Sequence, residues 1–232
     1  MQRKPIEERL GEPLRDYWLE RVAQHTHDTY AGILISKFPE DLRTYEHLLW
    51  DSRANVVIEI GTHWGGSALW FRDRLTSFAR YRPPATVPLV VSVDIETNIA
   101  HRALAQVDPN YASAIRLVDG DVRDPTTATR VRNELAPGSR CLVVEDSAHT
   151  YETTYAALQG FSDFVASGGY LVVEDGCVDI DSMRLDDAWP RGVIPAMEDW
   201  LRSSAGGGFR RRRDLERYGI TCHPLGYLQR RG

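Results

Sequence analysis

Two stretches of the chain end in the same acidic pair: VVED stands at residues 143–146 and again at 172–175. Both are β-branched runs that stop on carboxylates, the pattern of a buried strand delivering acids to its end. Asp146, Glu174 and Asp175 are therefore candidates for one shared site. Three carboxylates in one place repel unless protonated or balanced by a cation. An all-oxygen set suits a hard divalent ion, and Mg²⁺ with water completing its octahedron is the first expectation. Glu145 precedes Asp146 and points to the other face of its strand, so it is excluded. His149 follows in SAHTYE, on the turn past Asp146. Asp146 and His149 form the candidate catalytic pair. With an ordinary pKa near 6.5, His149 either takes a proton from a substrate hydroxyl or orients Asp146 structurally.

A second constellation lies upstream in VVIEIGTHWGGSALWF, residues 56–71. A strand ends near Glu59, and Gly61, Gly65 and Gly66 let the backbone turn sharply and approach a ligand before a helix begins at about Ser67. Glu59, Gly61, Thr62, Gly66 and Ser67 are the candidate cofactor-binding residues of this corner. Glu59 either orients the loop or meets a cationic amino group. The spacing G-x-x-x-G-G is not the dinucleotide fingerprint G-x-G-x-x-G. Asp94 ends the run VVSVDIE, where an acid can accept from both hydroxyls of a ribose, and Glu96 competes for that role. Asp121, after Gly120 in LVDGDVRD, can place a carboxylate beside an adenine amino group. His63, in the glycine loop, is expected to pack against the cofactor, His25 and His27 read as surface residues, and Lys37 faces the cofactor carboxylate, the substrate or solvent.

These residues need a scaffold that gathers strand ends. From residue 56 onward, short β-branched runs (56–60, 89–95, 114–121, 141–146 and 170–175) alternate with helix-like segments, the signature of βαβ units around a mostly parallel sheet. The two VVED runs flank a helix at 152–165, so both acid pairs emerge at the carboxyl edge, where open α/β sheets bind ligands. The expected fold is thus α/β, Rossmann-like and doubly wound, with an N-terminal helical extension and an antiparallel C-terminal addition over 209–231. Residues 1–54 read as a helical cap and 55–232 as one compact domain. In the cap, Leu10, Leu14, Trp18, Leu19 and Val22 form a stripe, a loop spans 32–39, and Asp41 caps a second helix. Residues 177–191 read as a loop or lid and 192–204 as a helix.

Composition narrows the function. A chain of 232 residues, 42% hydrophobic, fits one large domain. Its net charge of −5 gives no general attraction to nucleic acid or anionic membrane, and the basic run at 210–213 reads as a solvated strand edge. No window approaches a membrane span, and the charged start is unlike a signal peptide, so a cytoplasmic protein is expected. Cys141, Cys177 and Cys222 are odd in number and widely spaced, which points to reduced thiols rather than disulfides or zinc.

Taken in order, TYAGILISKFPEDL, VVIEIGTHWGGSALWF, VVSVDIE, GDVRD, VVEDSAHTYE, GGYLVVEDG and GYLQR resemble the class I S-adenosylmethionine-dependent methyltransferases. Within them the chain resembles the family named for cephalosporin hydroxylase, with macrolide sugar O-methyltransferases as more distant relatives. The resemblance implies that the Gly61 turn holds the methionine part of S-adenosylmethionine, Asp94 the ribose and Asp121 the adenine. It likens Asp146, Glu174 and Asp175 to the metal site of Mg²⁺-dependent O-methyltransferases. The implied reaction is methyl transfer to a hydroxyl of a small molecule in specialised metabolism such as antibiotic biosynthesis, by a homo-oligomer. N-methylation or a hydroxylation-associated role on the same cofactor site is an alternative. An NAD-binding oxidoreductase is another, disfavoured by the glycine spacing and by the lack of a Tyr-x-x-x-Lys pair after the fourth run.

Overall fold

The computed structural model describes residues 5–232. Its centre is a seven-stranded sheet made of β3 (Val56–Ile60), β4 (Leu89–Asp94), β5 (Ile115–Asp119), β6 (Cys141–Glu145), β7 (Tyr170–Val173), β8 (Phe209–Arg211) and β9 (Tyr227–Arg230), in the order β5-β4-β3-β6-β7-β9-β8. The first five strands run parallel, while β9 pairs antiparallel with β7 and β8 with β9. β3, β6 and β7 are buried throughout, as their mostly apolar, Val-rich runs require in a sheet covered on both faces.

Helices cover both faces. α2 (Pro39–Ser52), α3 (Gly66–Ala79) and α4 (Asn98–Val107) bring Tyr45, Leu48, Leu69, Phe71 and Leu104 against one face, with Val57, Leu142 and Val172 from the strands. α5 (Pro125–Asn133), α6 (Tyr151–Phe161) and α7 (Val193–Arg202) bring Val131, Leu158, Phe161, Met197 and Trp200 against the other, with Ile58, Val143 and Leu171. The chain winds outward from β3 through β4 to β5, then returns to add β6 and β7 on the other side. The winding reverses between β3 and β6, and a crevice opens there at the carboxyl ends of the strands.

The N-terminal region differs from its expected form. The first four residues of the expected helix lie outside the described residues, and α1 spans only Leu14–His25, because Pro13 sets its start. Trp18 and Val22 are buried and Leu19 packs beside them, but Leu10 and Leu14 are exposed, so the packed stripe is confined to residues 18–22. The expected loop at 32–39 contains half of a hairpin, β1 (Thr29–Tyr30) with β2 (Ile33–Leu34), closed by Ala31 and Gly32 in left-handed conformations. Asp41 does not cap α2. Pro39 sits in the first turn and moves the cap to Phe38, and Asp41 is buried, accepting from the Thr221 and Tyr227 hydroxyls and the Cys222 amide.

The segment 177–191 folds around buried Arg184, whose guanidinium donates to the carbonyls of Val178, Asp187 and Trp189. Asp179 closes it by accepting from the Gly192 and Ile194 amides at 2.7 Å each, at the start of α7. The basic run lies on edge strand β8 and beyond it, with Arg210 and Arg212 bonded to Gln229. All three cysteines are free and buried. Among the described residues, no helix is long and apolar enough to cross a membrane.

Candidate active site

The glycine turn grips the end of β6. Gly61 has φ +103°, and a Cβ there would stand 1.8 Å from the Asp146 carbonyl oxygen. The Asp146 amide in turn donates to the Ile60 carbonyl at 2.8 Å. This close approach puts the corner after β3 directly beside the acids after β6. Gly65, at φ +84°, caps α3, so the helix starts one residue before Ser67. Asp94, the last residue of β4, holds the turn from the other side: its Oδ2 accepts from the amides of Thr62 and His63, both at 2.9 Å.

Beneath the turn lies a small polar relay. The Thr62 hydroxyl meets that of Ser92 at 2.7 Å, and Ser92 donates to Glu59 at 2.5 Å. Glu59 is fully buried, and burial raises its carboxyl to about 7 against the opposing pull of Lys37, Ser67 and Ser92. Asp121 pairs with Arg123 at 2.6 Å, and hydrogen bonds from Arg123 hold its carboxyl down at about 2.

A cavity of about 520 Å³ opens over this edge, within the range of small-molecule sites. Gly61, Asp94, Asp121, Asp146, His149 and Asp175 line it. Glu59, Thr62, Gly66, Ser67 and Glu174 do not; they lie behind the lining. Glu96 is exposed outside it, so Asp94 alone of the two faces the cavity. His25, expected on the surface, instead lines the cavity together with Ser36. A smaller cavity of about 210 Å³ at the opposite edge, beside Trp50 and Arg82, contains none of the candidate residues.

The acids are arranged by strand register. Glu145 pairs with Val173, one residue out of step with the sequence repeat, so Asp146 stands level with Glu174 rather than with Asp175. Lys37 lies between these two: its ammonium is 2.5 Å from Asp146 Oδ2 and 2.7 Å from Glu174 Oε2. Glu174 is buried, and its other oxygen accepts from the Tyr45 hydroxyl at 2.5 Å. Asp175 takes a left-handed conformation, φ +55°, and turns back to the cavity, where its Oδ2 is 3.3 Å from His149 Nε2. Glu145 turns toward α6, accepting from Thr154 and from the Ser147 amide.

Two donor groups converge here, each with ligand atoms within 4.8 Å of one another: Asp146 with His149 and Asp175, and Glu174 with Asp175 and His223. Among the described residues, no such group holds Asp146, Glu174 and Asp175 together. A third, Asp175 with Cys177 and Cys222, is made unattractive to a cation by burial, which keeps the Cys222 thiol protonated. The open group, two carboxylates and an imidazole, suits a hard divalent ion or a hydroxyl donor. Burial pulls the His149 pKa down, but Asp175 and Asp146 outweigh it and the net direction is up.

Comparison with known proteins then decides the lineage. The family model described as "Rhamnosyl O-methyltransferase/CmcI" matches residues 22–231. The chain belongs to this family. It is 29% identical over 215 residues to the rhamnosyl O-methyltransferase of Mycobacterium tuberculosis, a match covering 88% of this chain and 79% of that one. The Mycobacterium leprae rhamnosyl O-methyltransferase is 27% identical over 207 residues, covering 88% and 83%. Among solved structures, CmcI with Mg and SAM superimposes with a TM-score of 0.64 at 19% identity, covering 89% of this chain and 78% of that chain. MycE of the mycinamycin pathway, in complex with Mg, SAH and mycinamycin VI, gives 0.53 at 16% identity, covering 93% and 53%. The fold of this family member is accordingly that of the class I methyltransferases, and the nicotinamide reading is set aside.

Lys37, Tyr45, His223 and His25 are the residues of this methyltransferase's edge that motif reading did not assign to the acids or the cavity. The only sequence signal for Lys37 was its place in SKFPEDL; Tyr45 and His223 carry no local signature.

Proposed function

We propose that this S-adenosylmethionine-dependent O-methyltransferase methylates a hydroxyl of a sugar or sugar-bearing natural product at the edge formed by Asp146, His149 and Asp175. The observation that carries the reading is the contact of Gly61 with the Asp146 carbonyl, because it brings the cofactor corner and the acids into one cavity. The names of the mycobacterial relatives support a sugar acceptor, and mycinamycin VI in MycE supports a biosynthetic small molecule.

S-adenosylmethionine supplies a methyl group on a sulfonium. The Gly61 turn receives its methionine part, Asp94 Oδ1 the ribose and Asp121 the adenine. His149 Nε2 removes the proton of the acceptor hydroxyl as the oxygen bonds to the methyl carbon and the carbon–sulfur bond breaks, leaving S-adenosylhomocysteine and a protonated imidazole. Asp175 stabilises that imidazolium from 3.3 Å. Asp146 Oδ1 and Asp175 orient the acceptor. Their oxygens fit Mg²⁺, which when bound would lower the pKa of the acceptor hydroxyl. Charge is lost along this path, so a site partly shielded from water favours it.

The test is methyl transfer from S-adenosylmethionine to rhamnosyl and other deoxysugar glycosides, with the product located by mass spectrometry. An O-methyl sugar supports the reading. Turnover confined to amine acceptors would replace it with N-methylation.

A further inference from the structure

Each oxygen of Glu174 is already engaged by a donor, and Glu174 does not line the cavity, whereas Asp146 and Asp175 on either side of it do. Its two oxygens accept from Tyr45 and Lys37, and it is buried. Asp146 is divided in the same way: Oδ2 goes to Lys37, while Oδ1 remains on the open side, 3.9 Å from His149 Nε2. The Lys37 side chain is 1% exposed and makes both ion pairs. A lysine this deep is retained only if carboxylates replace its lost hydration. Lys37 reaches the acids from the segment between hairpin and α2, where Ser36 is left-handed at φ +49° and Pro39 begins the helix.

We propose that Lys37 is a resident counter-cation, a positioning residue that withdraws Glu174 and one oxygen of Asp146 from the open site and leaves room there for a single divalent ion or acceptor hydroxyl. This rests on the reading of the Asp146 edge as the reaction centre. The physical argument is charge balance. With Lys37 in place, the pair Asp146–Glu174 carries one net negative charge instead of two. Removing the ammonium exposes the full charge of both carboxylates to any cation that enters, and frees Glu174 and Asp146 Oδ2 as ligands. Lys37 therefore sets both the number of ligand atoms and the strength with which the edge holds a metal.

The test is Mn²⁺ binding, followed by electron paramagnetic resonance and calorimetry, in wild type, Lys37→Met and Lys37→Met/Glu174→Gln, without donor or acceptor present. Lys37→Met should bind Mn²⁺ at least tenfold more tightly than wild type, with an altered manganese spectrum, and its Tm should rise on adding Mn²⁺ by more than that of wild type. The double variant should return to near wild-type affinity and recover much of the Tm lost by the single variant, because the lysine and Glu174 act as a pair. A folded Lys37→Met with unchanged or weaker Mn²⁺ affinity overturns the proposal. So does a double variant no more stable than Lys37→Met, which also decides the case if the single variant does not fold. Methyl transfer by wild type is measured separately, so failure of this proposal is distinguishable from failure of the methyltransferase reading on which it rests.

Discussion

His149 Nε2 lies 3.3 Å from Asp175 Oδ2 and 3.9 Å from Asp146 Oδ1, so one imidazole is held between carboxylates from two neighbouring strand ends. Its burial disfavours the charged ring, yet the two acids favour it more. In metal-free protein, NMR titration of His149 should give a midpoint above 6.5, and Asp175→Asn should lower it. A midpoint at or below 6.5 that ignores Asp175→Asn would show that the acids do not govern the ring.

Loss of the base should be a loss of turnover rather than of cofactor binding. His149→Gln is expected to lower kcat by roughly 10²–10⁴-fold, the range for a positioned general base, with S-adenosylhomocysteine affinity unchanged by calorimetry. Weakened affinity at near-normal kcat would make His149 structural.

The buried Glu59 should leave a signature in stability against pH. Its carboxyl stands at about 7 in the folded chain against an ordinary 4.5, raised first by burial. The folded state thus holds this proton more firmly than the unfolded state. Its contribution is fully present below pH 4.5 and is lost as pH rises through 7. Glu59→Gln cannot ionise, so relative to wild type it should gain about 3 kcal/mol between pH 4.5 and 8. Urea denaturation across that window measures the difference, and parallel curves for the two proteins would place the Glu59 pKa near its ordinary value.

Gly61→Ala should be severe and Gly207→Ala mild. The first forces a Cβ to 1.8 Å from a backbone oxygen at a left-handed φ, whereas the second meets nothing within 4 Å. Roughly 3 kcal/mol or more is expected for Gly61→Ala and under about 1 kcal/mol for Gly207→Ala. Equal losses in a chemical denaturation series would contradict the close packing of the turn on β6.

Most of the sheet was legible because its parallel strands are short runs rich in Val, Ile and Leu that end on Gly or an acid, a signal carried within a few residues. Asp94, Asp121, Asp146 and Asp175 were legible for the same reason, since a residue at a strand end is located by its own strand. Lys37 was not, because it reaches Asp146 across 109 positions of sequence. The register was also hidden. The repeat aligns Asp146 with Asp175, but the ladder pairs Glu145 with Val173 and sets Asp146 beside Glu174. Asp41 imitated a cap in a sequence where Pro39 had already fixed the helix start.

The most direct measurement is methyl transfer to a sugar hydroxyl by chelator-stripped enzyme, with and without added Mg²⁺, in wild type and Asp146→Asn. Activity that vanishes on stripping, returns with Mg²⁺ and is absent from Asp146→Asn under both conditions is the predicted result. Full turnover in chelator, undiminished by Asp146→Asn, would contradict it.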